Sequence, residues 1–127
     1  MIGYITIGAN DSEISGKFYD AVLSALGNER KFADSGWIGY GPKGKDEHNV
    51  YVISPPHDKK PATGGNGMMI AFKGSAKADV DAAYQSGLKN GGKDEGAPGP
   101  RPEDSTTFYG AYLRDPVGNK ICVYCKP

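Results

Sequence analysis

Two cysteines near the carboxyl end are the first residues of this sequence whose types and spacing suggest chemistry. Cys122 and Cys125 form a C-x-x-C pattern, which can hold a metal ion or a redox-active disulfide. Here the pattern ends a predicted strand, whereas a thioredoxin-type motif opens a helix. Residues three apart in a strand lie roughly 10 Å apart and face opposite ways, which is beyond the roughly 7 Å between Cα atoms that a disulfide allows. We therefore expect two packed thiols rather than a redox or zinc site.

The two histidines are the next candidates for chemistry. His48 and His57 are the only histidines, and both lie in turn-like or linker-like segments. We expect both at the surface, although either could serve as a base if its loop folds over a binding site. No Ser/His/Asp or Cys/His grouping can be argued from residue order alone, so the sequence names no catalytic residue.

The composition excludes several classes of function. The chain has 127 residues, and 15 basic side chains balance 15 acidic ones, so no electrostatic footprint points to nucleic acid or to an anionic membrane. The apolar runs are far shorter than a bilayer span, and the N-terminus lacks the pattern of a secretion signal. We therefore expect a single domain that is cytoplasmic, with no nucleic-acid or membrane partner.

The first half of the chain reads as a strand, a helix and three further strands. Apolar residues alternate over residues 2–8, which predicts a strand. Asn10 with Glu13 three residues later is a capping-box pattern that begins a helix, and Gly27 ends it. The apolar stripe of this helix consists of Ile14, Phe18, Val22 and Leu26. Short strands are predicted at 30–33, 37–40 and 49–53.

The second half repeats this order after a linker at 54–67 that is rich in proline and glycine. A strand at 68–73 precedes a helix that Ser75 caps and Gly91-Gly92 ends. A short strand at 93–95 and a Gly/Pro loop at 96–105 follow. The chain then forms a hairpin of strands 107–114 and 121–125, which a tight turn at 115–119 joins. Tyr4 and Met69 are 65 residues apart, as are Gly27 and Gly92. We predict an α+β fold of two tandem βαβββ units, about 1–60 and about 65–127, which form one domain over residues 1–127.

Four stretches carry a resemblance to a known family. They are FYDAVLSALG at 18–27, GNGMMIAF at 65–72, GAPGPRP at 96–102 and YGAYLRDPVGNKI at 109–121, of which the last is the most specific. With the repeat, they resemble the vicinal oxygen chelate superfamily, which holds glyoxalase I, extradiol dioxygenases and bleomycin-resistance proteins. The resemblance implies a fold of two βαβββ units around a cup, and a homodimer as in many relatives.

Metal-dependent members of this superfamily take two ligands from each unit, one from its first strand and one from its last. The matching positions here are Tyr4, Tyr51, Met69 and Cys122. Strand alternation supports the match, because it places each of them opposite an apolar row that we assign to the helix-covered side. Two phenols, a thioether and a thiol are poor ligands for the divalent ions in question, and Tyr and Cys would have to lose protons whose unperturbed pKa values are about 10 and about 8.5. We therefore predict no metal site and no cofactor, unless this matching of positions is wrong.

The resemblance then favours metal-independent binding of a small organic molecule in the cup, as in bleomycin-resistance proteins. The matched positions Tyr4, Tyr51, Met69 and Cys122 would line it. Arg101 lies on a loop that reaches the cup in relatives and could hold an anionic group. Aromatic residues that could also line the cup are Trp37, Tyr40, Tyr109 and Tyr112. One alternative is a lyase or isomerase of the glyoxalase I (lactoylglutathione lyase) type, and a second is a scaffold protein with a vestigial cup.

Overall fold

The structure, a computed structural model, describes all 127 residues and contains eight strands and two helices. In chain order these are β1 (Ile5–Gly8), α1 (Ser12–Ala25), β2 (Asn28–Asp34), β3 (Trp37–Pro42), β4 (Val50–Ile53), β5 (Ile70–Lys73), α2 (Lys77–Lys89), β6 (Lys93–Pro100), β7 (Tyr109–Arg114) and β8 (Lys120–Cys125). The strands form two four-stranded sheets, with the orders β1-β4-β3-β2 and β5-β8-β7-β6. The predicted α+β fold of two βαβββ units is therefore confirmed.

The two units share one topology. In each, the first strand pairs in parallel with the last strand, and the remaining pairs are antiparallel. The elements β1 and β5, α1 and α2, and β2 and β6 begin 65 residues apart, whereas β3 and β7 begin 72 apart. The extra length lies in β6 and the loop after it. Strand β6 runs on through a glycine- and proline-rich stretch that the sequence predicted as a loop, because two register shifts accommodate those residues at this sheet edge.

Helix α1 begins one residue later than predicted. Its N-cap is Asp11, whose carboxylate accepts hydrogen bonds from the backbone N–H groups of Glu13 at 2.9 Å and Ile14 at 3.1 Å. The neighbouring Asn10 has another role, because its side-chain oxygen accepts a bond of 2.6 Å from the backbone N–H of Ala62 in the linker. The predicted cap at Asn10 is therefore wrong, and Asn10 ties the linker to the end of β1.

Helix α2 also lacks its predicted cap. Ala76, not Ser75, is the N-cap, and the carboxylate of Asp79 accepts a bond of 3.2 Å from the backbone N–H of Ala76. The residues that follow the two helices include Gly27 at φ +85° and Gly91 at φ +96°, a conformation that favours glycine. Neither helix is long and apolar enough to cross a membrane.

The two helices pack against each other and against one face of each sheet, which we call the inner faces. At Gly87 of α2, an added Cβ would lie only 2.9 Å from Leu113 of β7, 3.1 Å from Val22 and 3.2 Å from Phe18 of α1. A single hydrophobic core therefore draws buried residues from both units. The opposite faces of the sheets, which we call the outer faces, are not covered by either helix.

The turn between β7 and β8 is tied to α1 across this core. Asp115 is almost fully buried, and one of its oxygens accepts the backbone N–H groups of Val117, Gly118 and Asn119 at 2.9 to 3.0 Å. Its other oxygen accepts the hydroxyl of Tyr19 at 2.6 Å. Burial, and then the adjacent carboxylate, raise the pKa of Tyr19 well above its usual value. The turn predicted at 115–119 thus joins the two units.

Candidate functional site

The outer face of the first sheet carries a cluster of rings that we call the aromatic face. Its members are Tyr4, Phe32, Trp37, His48 and Tyr51. Tyr51 is central, since its ring centroid lies 5.4 Å from that of Tyr4, 5.7 Å from that of Trp37 and 5.4 Å from that of His48. These three contacts are edge-to-face, a geometry that contributes about 0.5–1.5 kcal/mol beyond simple burial. Strand alternation fixes the orientation, because the neighbouring Val52 is fully buried on the inner face.

Phe32 reaches this face because of a local irregularity in β2. The pairing of β2 with β3 shifts register between Arg30 and Phe32. Arg30 faces the helix, where its guanidinium binds Asp20 of α1 at 2.8 Å, and Phe32 lies over Gly39 on the outer face. A Cβ at Gly39 would stand 2.3 Å from the Phe32 ring, so only glycine leaves room for it. The position of the Phe32 ring in the aromatic face therefore requires glycine at residue 39.

His48 lies in the connection between β3 and β4, and its ring packs against other rings of the aromatic face. Its ring centroid lies 5.5 Å from the ring centroid of Phe32, and its Nδ1 is hydrogen-bonded to the hydroxyl of Tyr51. The backbone carbonyl of His48 also lies 3.4 Å from that hydroxyl. The histidine is thus a surface residue, as predicted, but it is fixed to the central ring of the cluster.

The outer face of the second sheet differs in character, and we call it the cationic face. It consists of Arg101, Tyr112, Lys120 and Cys122. The guanidinium carbon of Arg101 lies 5.6 Å from the centroid of the Tyr112 ring, and the ammonium of Lys120 lies 5.7 Å from it. Neither cation belongs to any of the three ion pairs in the protein. Instead, Arg101 donates hydrogen bonds to the carbonyl oxygens of Ala97 at 2.7 Å and Pro100 at 3.1 Å. These two bonds hold its guanidinium group near the cationic face.

Cys122 is the least accessible member of the cationic face, with only 1% of its surface exposed. Burial raises the pKa of its thiol, although Tyr112, Arg101 and Lys120 act in the opposite direction. Cys125 is buried on the inner face, and both cysteines are free thiols. The expectation of two packed thiols is confirmed, and a raised thiol pKa makes Cys122 a weak nucleophile.

The structure places most of the predicted cup residues in two separate groups, one on each outer face. The rings of Tyr4 and Trp37 each contact the ring of Tyr51. On the second sheet, Arg101 and Cys122 both lie beside Tyr112. Met69 lies just before β5 in a groove that it shares with Thr6 and Lys120. The sequence analysis did not name Phe32 or Lys120 as site residues. Lys120 could have been found from strand alternation, which places it on the same side as Cys122.

Two of the predicted cup residues lie on the inner faces instead. The hydroxyl of Tyr109 donates to Asp81 of α2 at 2.6 Å, and this bond raises its pKa to about 12. The hydroxyl of Tyr40 donates to Asp20 of α1 at 2.8 Å. Tyr109 and Tyr112 are three residues apart in one strand, so they face opposite sides of the sheet. The structure therefore separates Tyr109 and Tyr40 from the candidate site.

The residues at the four matched positions do not fit a divalent metal ion. They supply two phenols, one exposed thioether and one buried thiol whose pKa is raised. In addition, the structure contains no group of three or more His, Cys, Asp and Glu residues that could hold an ion. Imidazole and carboxylate, the ligands that zinc, iron, nickel and manganese prefer in proteins, are missing from these positions.

The two outer faces do not enclose a common cavity within one chain. The two grooves between β1 and β5, of about 280 and 210 Å³, run along the boundary of the sheets and contain neither Tyr51 nor Cys122. Several apolar side chains of the outer faces remain open to solvent, with 63% of Tyr4, 43% of Trp37 and 45% of Met69 exposed. A single chain therefore presents two half-sites.

Comparison with known proteins agrees with the observed fold. Residues 1–123 match the model of the Glyoxalase/Bleomycin resistance protein/Dioxygenase superfamily. A glyoxalase/bleomycin resistance protein from Albidiferax ferrireducens has 36% sequence identity over 98% of both chains, with a TM-score of 0.85. A glyoxalase-related enzyme from Fulvimarina pelagi, at 19% identity and a TM-score of 0.73, covers 100% of this chain and 88% of its own. This second likeness shows the fold alone. A search of curated proteins found no match.

Proposed function

Because the chain belongs to the glyoxalase/bleomycin resistance protein/dioxygenase superfamily, we propose that it is a member that binds a small organic molecule without a metal ion. The observation that carries the proposal is the set of side chains at the four matched positions, Tyr4, Tyr51, Met69 and Cys122. These replace a hard, charged site by a soft and mostly apolar one. An apolar lining favours an apolar ligand, because its burial contributes about 25 cal/mol per Å².

The ligand that suits both half-sites is an aromatic molecule that carries an acid group. The aromatic face offers the rings of Tyr4, Phe32 and Trp37 around Tyr51, against which a planar body can pack. The cationic face offers Arg101 and Lys120, two cations without an ion-pair partner. A carboxylate matches the fork of an arginine, which makes Arg101 the anchor.

A second copy of the chain would complete the cup. The aromatic and cationic faces lie on the uncovered sides of two sheets that share one core, so each face needs another surface opposite it to exclude water. The exposed rings of one chain and the cations of another are complementary, because a cation gains from lying over an aromatic ring. We therefore infer a homodimer in which the aromatic face of one protomer meets the cationic face of its partner.

A thermal-shift screen of small aromatic acids, followed by titration of the best compound, tests this function. A ligand that binds only the folded protein raises its melting temperature by mass action. Arg101→Ala should weaken the best compound by more than about tenfold, or about 1.4 kcal/mol, because the carboxylate loses its charged partner. Lys89→Ala is the matched control, since Lys89 is an exposed cation at the end of α2. Equal affinity in wild type and Arg101→Ala would show that Arg101 does not anchor the ligand. If no compound in a broad library binds, the alternative of a scaffold protein with a vestigial cup is favoured.

A further inference from the structure

The bond between His48 and Tyr51 restricts what the aromatic face can offer to a ligand. A tyrosine hydroxyl has one proton to donate and lone pairs to accept with. In the structure two atoms of His48, the ring Nδ1 and the backbone carbonyl oxygen, lie around this hydroxyl. The hydroxyl is the central polar group among the rings of Tyr4, Phe32 and Trp37.

Either tautomer of His48 leads to the same result. If Nδ1 carries no proton, it accepts the proton of the Tyr51 hydroxyl. If Nδ1 carries a proton, it donates to the Tyr51 oxygen, and the hydroxyl proton is directed to the backbone carbonyl of His48 at 3.4 Å. In both cases the proton of Tyr51 is used within the protein, and the group that remains available to a ligand is a lone pair.

From this geometry we propose that the ligand donates a hydrogen bond to Tyr51, so that His48 and Tyr51 select aromatic acids that also carry an O–H or N–H group. This inference rests on the proposed function and narrows its ligand class. If the ligand carried a methyl ether in place of its phenol, the ether oxygen and the Tyr51 oxygen, both acceptors, would face each other. The lone pair of Tyr51 would then have no hydrogen-bond donor once the cup closes. Sites built to pair with a polar group discriminate strongly against analogues that lack it.

The surroundings of the pair support a role in recognition rather than in folding. The aromatic rings that pack against the His48 ring are those of Phe32 of β2 and Tyr51 of β4, and no carboxylate or ammonium is hydrogen-bonded to it. His48 is exposed, so its bond to Tyr51 adds little to the core. Tyr51 is also the ring around which Tyr4 and Trp37 are arranged, which places its oxygen where a bound ring would lie.

The test compares two matched series of probes with the whole 127-residue chain. The probes are the 3- and 4-hydroxy derivatives of benzoate and phenylacetate and the corresponding methyl ethers, and the readout is the ratio of the two dissociation constants. In wild type the better phenol should bind at least about tenfold more tightly than its ether. Tyr51→Phe and His48→Ala should each reduce this ratio to below about threefold. The first removes the lone pair. The second removes Nδ1, which holds the Tyr51 proton or turns it toward the backbone carbonyl, and leaves only that carbonyl at 3.4 Å, so the hydroxyl can rotate and donate to the ether.

Two further variants keep the outcome interpretable. His48→Asn should preserve the ratio, because its side-chain oxygen can take the place of Nδ1 as an acceptor. Lys89→Ala, remote on α2, should also preserve it. Equal affinity for phenol and ether in wild type, or an unchanged ratio in Tyr51→Phe, would overturn the inference while leaving the proposed function in place. If none of the aromatic acids binds, the proposed function fails and the inference fails with it.

Discussion

At the scale of single residues, buried tyrosines connect the two units and the helices. Tyr19 donates to the buried Asp115, and Tyr40 donates to Asp20 at 2.8 Å, with the carbonyl oxygen of Gly16 as a more distant acceptor at 3.3 Å. Burial is the largest cause of the raised pKa of Tyr40, and the bond to Asp20 adds to it. Both phenols therefore stay protonated in the folded protein at a pH where an unfolded chain would release their protons.

Stability should consequently fall in alkaline solution. Below the unfolded pKa of tyrosine, about 10, both states hold the phenol protons and the contribution of Tyr19 and Tyr40 is fully present. Above that pH the unfolded state binds fewer protons than the folded state, so the free energy of unfolding decreases as the pH rises. Urea unfolding followed by circular dichroism between about pH 8 and about pH 11 measures this slope. Tyr40→Phe should make it shallower, and a slope equal to that of wild type would contradict the assignment to Tyr40.

At the scale of elements, strand alternation and turn chemistry predicted much of what is observed. They placed Tyr51 and Cys122 opposite the helix-covered faces and predicted the turn at 115–119. They did not predict the extent of β6 through its glycines and prolines, or the register shift that brings Phe32 over Gly39. Such irregularities depend on the partner strand, and local sequence does not specify it.

The helix caps show the same limit. Three neighbouring polar residues, Asn10, Asp11 and Ser12, could each cap α1, and contact with the linker at Ala62 decides that Asn10 does not. The candidate site could be predicted from the sequence only in part, for a related reason. The bond between His48 and Tyr51 depends on how the loop before β4 folds back, which no periodicity in the sequence indicates.

The observed caps lead to a comparison of two substitutions. Asp11→Ala should lower the free energy of unfolding by about 1 kcal/mol, because the N–H groups of Glu13 and Ile14 lose their acceptor. Ser75→Ala is the matched control, since Ser75 lies before the true N-cap of α2, and it should change stability by less than about 0.5 kcal/mol. Urea unfolding measures both. A larger cost at Ser75 than at Asp11 would contradict the cap assignments.

At the scale of the whole molecule, the uncovered outer faces are better candidates for a contact between two chains than the sheet edges are. Of the four edge strands, β2 carries charged residues and a register shift, and β6 carries glycines, prolines and two shifts, features that protect edges from pairing. The other two, β1 and β5, line common grooves between the sheets. The aromatic face, in contrast, leaves Tyr4 and Trp37 widely exposed. A two-fold partner covers such a surface with a second copy of the same chain.

The assembly prediction is a dimer of about 27 kDa, twice the 13.5 kDa of one chain. Trp37→Glu should shift it toward monomer, because a carboxylate would have to be buried among the rings of the aromatic face. Ile14→Glu is the control, since Ile14 is similarly exposed but lies on α1, with 56% of its surface open against 43% for Trp37. Light scattering coupled to size exclusion at tens of micromolar gives the mass. A monomeric wild type, or equal dissociation by both variants, would contradict a dimer through this face.

The central claim, that the cup binds an aromatic acid without a metal ion, is tested most directly by one calorimetric titration. The best aromatic acid is titrated into protein before and after exhaustive chelation, with the metal content determined on the same samples. If binding needs no metal ion, the affinity is the same in both titrations, and nickel, zinc, iron and manganese are each present at well below one equivalent per chain. Stoichiometric metal, or binding that disappears on chelation and returns when one of these ions is added back, would contradict it.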